Sequence, residues 1–117
     1  MNLKGYKLFV DDMREIPPGW IGARTVSEAI AVLAHLKVDE LSLDHDIVHP
    51  SRINDGYLAL SQETFKGVAH YLAVLPRDKW PNRIRIHSSN AGAAQTMCDI
   101  LGLNFEDTYK HYTPKDY

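Results

Sequence analysis

The sequence predicts an α/β fold with a short, mostly parallel sheet of about four strands. Short apolar segments alternate along the chain with segments of helical periodicity, which favours parallel strands joined by helices that cover the sheet. Three of the apolar segments end abruptly in polar residues: Asp11 and Asp12, Asp44 to Asp46, and His87 to Asn90. Ligands of open α/β sheets bind at the carboxyl ends of the strands, so these three ends predict one functional site.

Length and composition indicate one globular domain, which we expect to span residues 1–117. Hydrophobic residues make up 44% and charged residues 24%, which is typical of globular rather than disordered chains. The single cysteine, Cys98, excludes an intramolecular disulfide bond and favours a reducing, cytoplasmic setting. No segment resembles a signal peptide or a membrane span, and the net charge of −2 argues against stable binding of duplex nucleic acid. The charge does not exclude a small nucleotide, because a metal ion can offset acidic side chains locally.

The first half of the chain contains three predicted strands and one helix. The strands are Tyr6–Val10, Ile21–Val26 and Leu41–Leu43, the last of them following a polar break at Asp39-Glu40. A helix is predicted over Val26–Lys37, with Thr25 or Ser27 as its N-cap. The interval from Asp11 to Ile21 contains Pro17-Pro18 and is short for a parallel crossover. It requires either a one-turn helix or an irregular second strand.

The second half contains two helices and one strand. A loop is predicted over His49–Leu60, a helix over Phe65–Leu75, a strand over Arg83–Ile86, and a helix from Ser89 or Asn90 to Leu101, with Gly102 beyond its end. The tail from Asn104 to Tyr117 has no assignable pattern.

Asp11 and Asp12 are the first candidate site residues. Adjacent carboxylates at a strand end repel each other unless a cation or hydrogen-bond donors compensate. They would therefore help to hold a metal ion, and Arg14, shortly after them, would clamp a phosphate. The alternative is a solvated turn in which an aspartate accepts hydrogen bonds from the following backbone.

Asp44, His45 and Asp46 form the second cluster. Ionised aspartate is rarely buried without a partner, and sites with several carboxylates suit Mg²⁺ or Mn²⁺. Asp44 would be a metal ligand or a nucleophile that forms an acyl-phosphate. Asp46 would orient His45, which otherwise is a surface residue, and His49 would reach the site from the following loop.

His87, Ser88, Ser89 and Asn90 form the third cluster. A helix that begins here offers free backbone N–H groups to an anion, and either serine would hydrogen-bond a phosphate oxygen. His87 would exchange protons near neutral pH. The alternative role of Ser89 or Asn90 is helix capping, which is compatible with phosphate binding.

Three sequences resemble the cyclic-phosphate processing receiver domains, a family related to the receiver domains of response regulators. They are Val10-Asp11-Asp12, Leu43-Asp44-His45-Asp46 and Ile86-His87-Ser88-Ser89-Asn90, and the similarity spans roughly Lys7 to Leu101. The resemblance implies a three-layer, receiver-like (flavodoxin-like) fold that is reduced relative to a full receiver domain. It also implies that Asp11 and Asp12 hold Mg²⁺, that Asp44 corresponds to the phosphoacceptor, and that Ser88 or Ser89 corresponds to the receiver hydroxyl. No clear final strand ends in the lysine that receivers carry, and Lys110 is the candidate for it.

The residues predict a metal-dependent phosphoesterase, and the resemblance implies that its substrate is a cyclic phosphate of a nucleotide, an RNA end or an ADP-ribose derivative. Asp11, Asp12 and Asp44 would hold Mg²⁺ or Mn²⁺, with Asp44, His45 and His87 as catalytic residues. Substrate would bind to Arg14, Ser88, Ser89 and Asn90. Two alternatives are a non-catalytic receiver-like module phosphorylated on Asp44, and a protein that sequesters a cyclic nucleotide. The oligomeric state is not predicted.

Overall fold

Five parallel strands form the sheet of the computed structural model, which describes residues 5–44, 64–88 and 90–110. The strands are β1 (Tyr6–Val10), β2 (Ile21–Ala23), β3 (Val38–Leu43), β4 (Arg83–His87) and β5 (Tyr109–Lys110). The helices are α1 (Val26–His35), α2 (Lys66–Ala73), α3 (Ala91–Leu101) and α4 (Phe105–Thr108), with a 3₁₀ turn at Arg77–Lys79. The spatial order β2-β1-β3-β4-β5 is that of flavodoxin-like and receiver-like folds, so the predicted fold class is confirmed.

Three details of the predicted sheet are corrected by the structure, the first being that β2 ends at Ala23 rather than at Val26. The tail contributes β5, which pairs with β4, and the expectation that no final strand ends in a lysine is therefore wrong. Strand β3 begins at Val38, without a break at Asp39-Glu40. Polar residues fit this start of the strand because the Asp39 carboxylate accepts hydrogen bonds from the backbone N–H of Gly5 at 2.6 Å and from Asn82 at 3.2 Å.

A loop without a helix connects β1 to β2. Its Ile16 side chain packs against β2 so closely that a Cβ atom on Gly22 would lie 2.6 Å from Ile16 Cδ1. Glycine at this position of β2 thus leaves room for the Ile16 side chain of the crossover loop.

The helix termini largely follow the sequence signals. Thr25 caps α1 by accepting a hydrogen bond from the Glu28 N–H at 3.1 Å, although the helix ends at His35 rather than at Lys37. Gly102 ends α3 with a φ of 68°, a left-handed conformation that favours glycine. No helix of the described ranges is long and apolar enough to span a membrane.

The two faces of the sheet have different roles. One face, together with α1, α2 and α3, forms the hydrophobic core around Leu8, Leu41 and Ile86. On the other face, Phe9 pairs with Ser42 and Ser42 pairs with Arg85, which makes a row across the three central strands. Side chains two residues apart along a strand share a face. Asp11, Asp44 and His87 therefore form the next row, at the carboxyl edge of the sheet.

Candidate metal centre

Asp11, Asp44 and His87 come together at the carboxyl edge of the sheet. Each offers one potential ligand atom, and these three atoms lie within 4.8 Å of one another. All three residues are buried, with relative exposures of 0% for Asp11, 5% for Asp44 and 0% for His87. Three separate parts of the sequence thus contribute to one buried group of potential metal ligands.

The Asp11 carboxylate is hydrogen-bonded through both of its oxygens. Oδ1 accepts hydrogen bonds from the N–H groups of Met13 at 2.8 Å and Arg14 at 2.9 Å, as in the turn that the sequence offers as an alternative. Oδ2 lies 2.9 Å from His87 Nε2 and 2.9 Å from Arg14 Nη1. Asp11 therefore forms the turn and belongs to the buried site at the same time.

His87 connects Asp11 to the interior of the sheet. Its Nδ1 atom lies 2.7 Å from the buried Ser42 hydroxyl, and its ring stacks on Phe9 with a centroid separation of 4.5 Å. A neutral imidazole that donates a hydrogen bond from Nε2 to Asp11 accepts one from the Ser42 hydroxyl at Nδ1. In this tautomer Nε2 carries a proton, so His87 orients Asp11 and does not itself present a lone pair to a cation.

The electrostatics of the pair agree with this tautomer. Burial alone would raise the pKa of Asp11, but hydrogen bonds from His87 and from Arg14 and Met13 outweigh it and hold the pKa well below its ordinary range. Burial lowers the pKa of His87, although its contact with Asp11 acts in the opposite direction. The combination at neutral pH is an ionised Asp11 beside a neutral His87.

Arg14 lies between the two carboxylates. Its Nη1 atom is 2.9 Å from Asp11 Oδ2 and 3.3 Å from Asp44 Oδ2. Arg24 stabilises the turn from Asp11 to Arg14, because its Nη1 atom donates hydrogen bonds to the carbonyl oxygens of Asp11 at 3.0 Å and Arg14 at 2.6 Å. A single positively charged nitrogen thus already bridges Asp11 and Asp44.

The donor set fits a hard divalent cation. Mg²⁺ and Mn²⁺ prefer carboxylate oxygens, and hydrogen bonds that orient a ligating carboxylate are a usual part of such sites. The bridging guanidinium nitrogen shows that this space accepts positive charge. Asp12 is half-buried and lies outside the group of Asp11, Asp44 and His87, so its role as a metal ligand stays a prediction.

The segment that follows β4 forms the rim of the site. The buried Ser88 hydroxyl accepts a hydrogen bond from the Asn90 N–H at 3.0 Å, and Asn90 caps α3 by accepting one from the Ala93 N–H at 3.0 Å. The Tyr109 hydroxyl donates to the Ser88 carbonyl oxygen at 2.9 Å, which ties β5 to this turn. Strand β5 then ends at Lys110, the register partner of His87.

The sequence predictions for the site fall into three groups. The structure brings Asp11, Asp44, His87 and Arg14 together, and it places Ser88 and Asn90 at the turn after β4. The predicted residues His45, Asp46, His49 and Ser89, together with the loop at His49–Leu60, lie outside the described residues.

Sequence reasoning missed Ser42 and Arg24. Ser42 carries a recognisable signal, because a hydroxyl between two leucines of a buried strand needs a hydrogen-bond partner. Arg24 follows the short strand β2, and nothing in its sequence context indicates that its side chain reaches back to the turn after β1.

The strand order and the acidic group at the carboxyl edge define a receiver-like α/β domain. More specifically, the family model described as the cyclic-phosphate processing receiver domain matches residues 6–102, and the chain belongs to this family. Comparisons with curated proteins and with solved structures gave no significant match.

Proposed function

We propose that the protein is a metal-dependent phosphoesterase that acts on a cyclic phosphate of a nucleotide, an RNA end or an ADP-ribose derivative. The observation that carries this proposal is the proximity of the buried Asp11 and Asp44 carboxylates, with Arg14 Nη1 in contact with both. Membership of a family of cyclic-phosphate processing receiver domains supports the substrate class.

In this proposal Asp11 and Asp44 hold Mg²⁺ or Mn²⁺, and Asp12 is a further candidate ligand. The cation would polarise the phosphate and lower the pKa of a bound water. His87 is fully buried and its two nitrogens are hydrogen-bonded, which favours a role in holding Asp11 over direct proton transfer to substrate. Proton transfer is then assigned to His45, as the sequence predicts.

In this proposal Arg14, Ser88 and Asn90 bind the phosphate, and Ser89 is a further candidate from the sequence. The N–H groups of Ala91 and Gly92 begin α3 ahead of Ala93, whose N–H is capped by Asn90, and N–H groups at such a position suit a phosphate oxygen. Arg14 offers several donors in a plane that matches phosphate geometry. A cyclic phosphate would thus lie between this rim and the carboxylates.

The test is hydrolysis by the wild type of 2′,3′- and 3′,5′-cyclic nucleotides, an RNA oligonucleotide that ends in a 2′,3′-cyclic phosphate, and ADP-ribose cyclic phosphates. Each substrate is assayed with Mg²⁺, with Mn²⁺ and with a chelator. We expect turnover that needs the metal and falls at least a hundredfold in Asp44→Asn. Asp78→Asn is the matched control. Asp78 is exposed on the 3₁₀ turn before the start of β4, whereas the site lies at the carboxyl end of that strand. An inactive wild type, an active D44N, or tight binding without turnover would contradict the proposal, and the last result would identify a sequestering module.

A receiver-like module phosphorylated on Asp44 is the second candidate function. The sheet order and the position of Lys110 at the end of β5, beside His87, favour it. Incubation with acetyl phosphate should then give an acyl-phosphate on Asp44 that mass spectrometry detects and mild base removes. Absence of the adduct in a protein that hydrolyses cyclic phosphates would exclude this alternative.

A further inference from the structure

We propose that Arg14 is a built-in counter-ion that takes the place of the divalent cation, so that the guanidinium group and the metal bind the Asp11–Asp44 pair alternately. This inference rests on the proposed function, because it concerns the same metal site. It adds a specific role for Arg14 in metal loading, beyond the phosphate contact predicted from the sequence.

Arg14 Nη1 occupies the position that a shared metal ion would need. Arg14 Nη1 contacts Oδ2 of both Asp11 and Asp44, at 2.9 and 3.3 Å. A divalent ion such as Mg²⁺ binds carboxylate oxygens at about 2.1 Å, so an ion shared by these two carboxylates needs the space that this nitrogen fills. Both cations cannot bridge the same pair of oxygens at once.

Arg14 also offsets the negative charge of the Asp11–Asp44 pair. Asp11 is fully buried and Asp44 almost so, and two buried carboxylates are costly without a positive charge beside them. His87 supplies a hydrogen bond to Asp11 but no full charge while it is neutral. Arg14 therefore supplies positive charge to the pair in the metal-free fold, and its removal takes that charge away.

The Arg14 side chain can leave while its backbone stays in place. The Arg14 N–H donates to Asp11 Oδ1, and its carbonyl oxygen accepts from Arg24, so these backbone contacts hold the turn in addition to the guanidinium. The Arg14 side chain is 27% exposed, in contrast to Asp11 at 0%, and thus has a path toward solvent. A displaced guanidinium remains at the rim of the site, where it can bind phosphate.

This arrangement predicts a linkage between metal and anion. An anion that binds the guanidinium removes the competitor from the carboxylates and therefore raises metal affinity, and the metal must raise anion affinity by the same factor. Metal loading would then be most favourable when a phosphate is present.

The test is calorimetric titration of Mn²⁺ into the metal-free wild type, Arg14→Gln and Arg83→Gln. R83Q is the matched control, because Arg83 is exposed at the start of β4 and its replacement changes the net charge equally. We expect R14Q to bind Mn²⁺ about tenfold more tightly than the wild type, and R83Q to bind it unchanged. We also expect inorganic phosphate to tighten Mn²⁺ binding less in R14Q than in the wild type.

Thermal denaturation gives a readout that is independent of catalysis. Without metal, R14Q should melt at a lower temperature than R83Q. Saturating Mn²⁺ should raise the melting temperature of R14Q by more than it raises that of R83Q. If the wild type binds Mn²⁺ and R14Q binds it equally or more weakly, Arg14 is not a competitor and this inference fails while the proposed function stands. If neither binds Mn²⁺, both the inference and the metal dependence of the proposed function fail.

Discussion

The Nε2 atom of His87 lies 2.9 Å from Oδ2 of Asp11, although the two residues are separated by 76 positions in the sequence. Strand β3 runs between their strands, and its Ser42 hydroxyl lies 2.7 Å from the other ring nitrogen of His87. A chain of hydrogen bonds therefore runs from a buried serine through the imidazole to the carboxylate. It orients Asp11 from inside the sheet, while Arg14 approaches the same carboxylate from the exposed side.

Replacing His87 with alanine should lower the free energy of unfolding by about 2–4 kcal/mol, because it opens a cavity and removes a buried partner from both Asp11 and Ser42. Urea denaturation of the metal-free protein measures this change. His70→Ala is the control, since His70 is exposed on α2 and its loss should cost less than about 0.5 kcal/mol. Equal effects of the two substitutions would show that the buried hydrogen bonds of His87 add nothing to stability.

Replacing Ser42 with alanine should cost about 1–3 kcal/mol, because the His87 Nδ1 atom loses its partner within the sheet. The double variant S42A/H87A isolates this contact. In the H87A background Ser42 no longer has the imidazole as a partner. S42A should therefore lower the free energy of unfolding clearly less there than in the wild type. Strictly additive effects in urea denaturation would contradict the hydrogen-bonded chain.

Acidification should destabilise the metal-free protein in two steps. The pKa of His87 is lowered from its ordinary 6.5 on folding, so the unfolded chain binds a proton first and stability falls as the pH drops below about 6.5. The pKa of Asp11 is also lowered on folding, from its ordinary 3.8. Ionised Asp11 therefore contributes fully to the free energy of unfolding above pH 3.8, and this contribution is lost as the pH falls from there through the lower pKa of the folded state.

Urea denaturation in chelator at pH 7.5, 5.5 and 4.5 measures the first of these steps. His87→Gln should show a smaller loss of stability between pH 7.5 and 5.5 than the wild type, whereas His70→Gln should follow the wild type. A wild type that is equally stable at the three pH values would be inconsistent with a buried, neutral His87.

The strand ends were predictable because they depend on local patterns. Leu8-Phe9-Val10 before Asp11 and Leu41-Ser42-Leu43 before Asp44 indicate buried strands that end in acids. Parallel strands place such ends at one edge of the sheet, so the proximity of Asp11 and Asp44 follows from the predicted α/β class. The caps at Thr25, Asn90 and Gly102 are likewise local signals.

The remaining features depend on contacts between distant residues. Strand β5 has two residues, Tyr109 and Lys110, and is stabilised by pairing with β4 rather than by a pattern of its own. The position of Arg14 depends on both carboxylates and on Arg24, whose reach to the turn after β1 is visible only in three dimensions. The sequence predicts that His87 exchanges protons, because histidine ordinarily titrates near neutral pH. Its burial against Ser42 and Phe9 indicates instead that it positions Asp11.

The most direct test of the account is the paramagnetic resonance of Mn²⁺ titrated into the wild type, Asp11→Asn, Asp44→Asn and Asp78→Asn. We predict one bound Mn²⁺ per wild-type chain and per D78N chain, and an affinity at least tenfold lower in both D11N and D44N. If the wild type binds no Mn²⁺, or if D11N and D44N bind it as tightly as D78N does, Asp11 and Asp44 do not hold the cation.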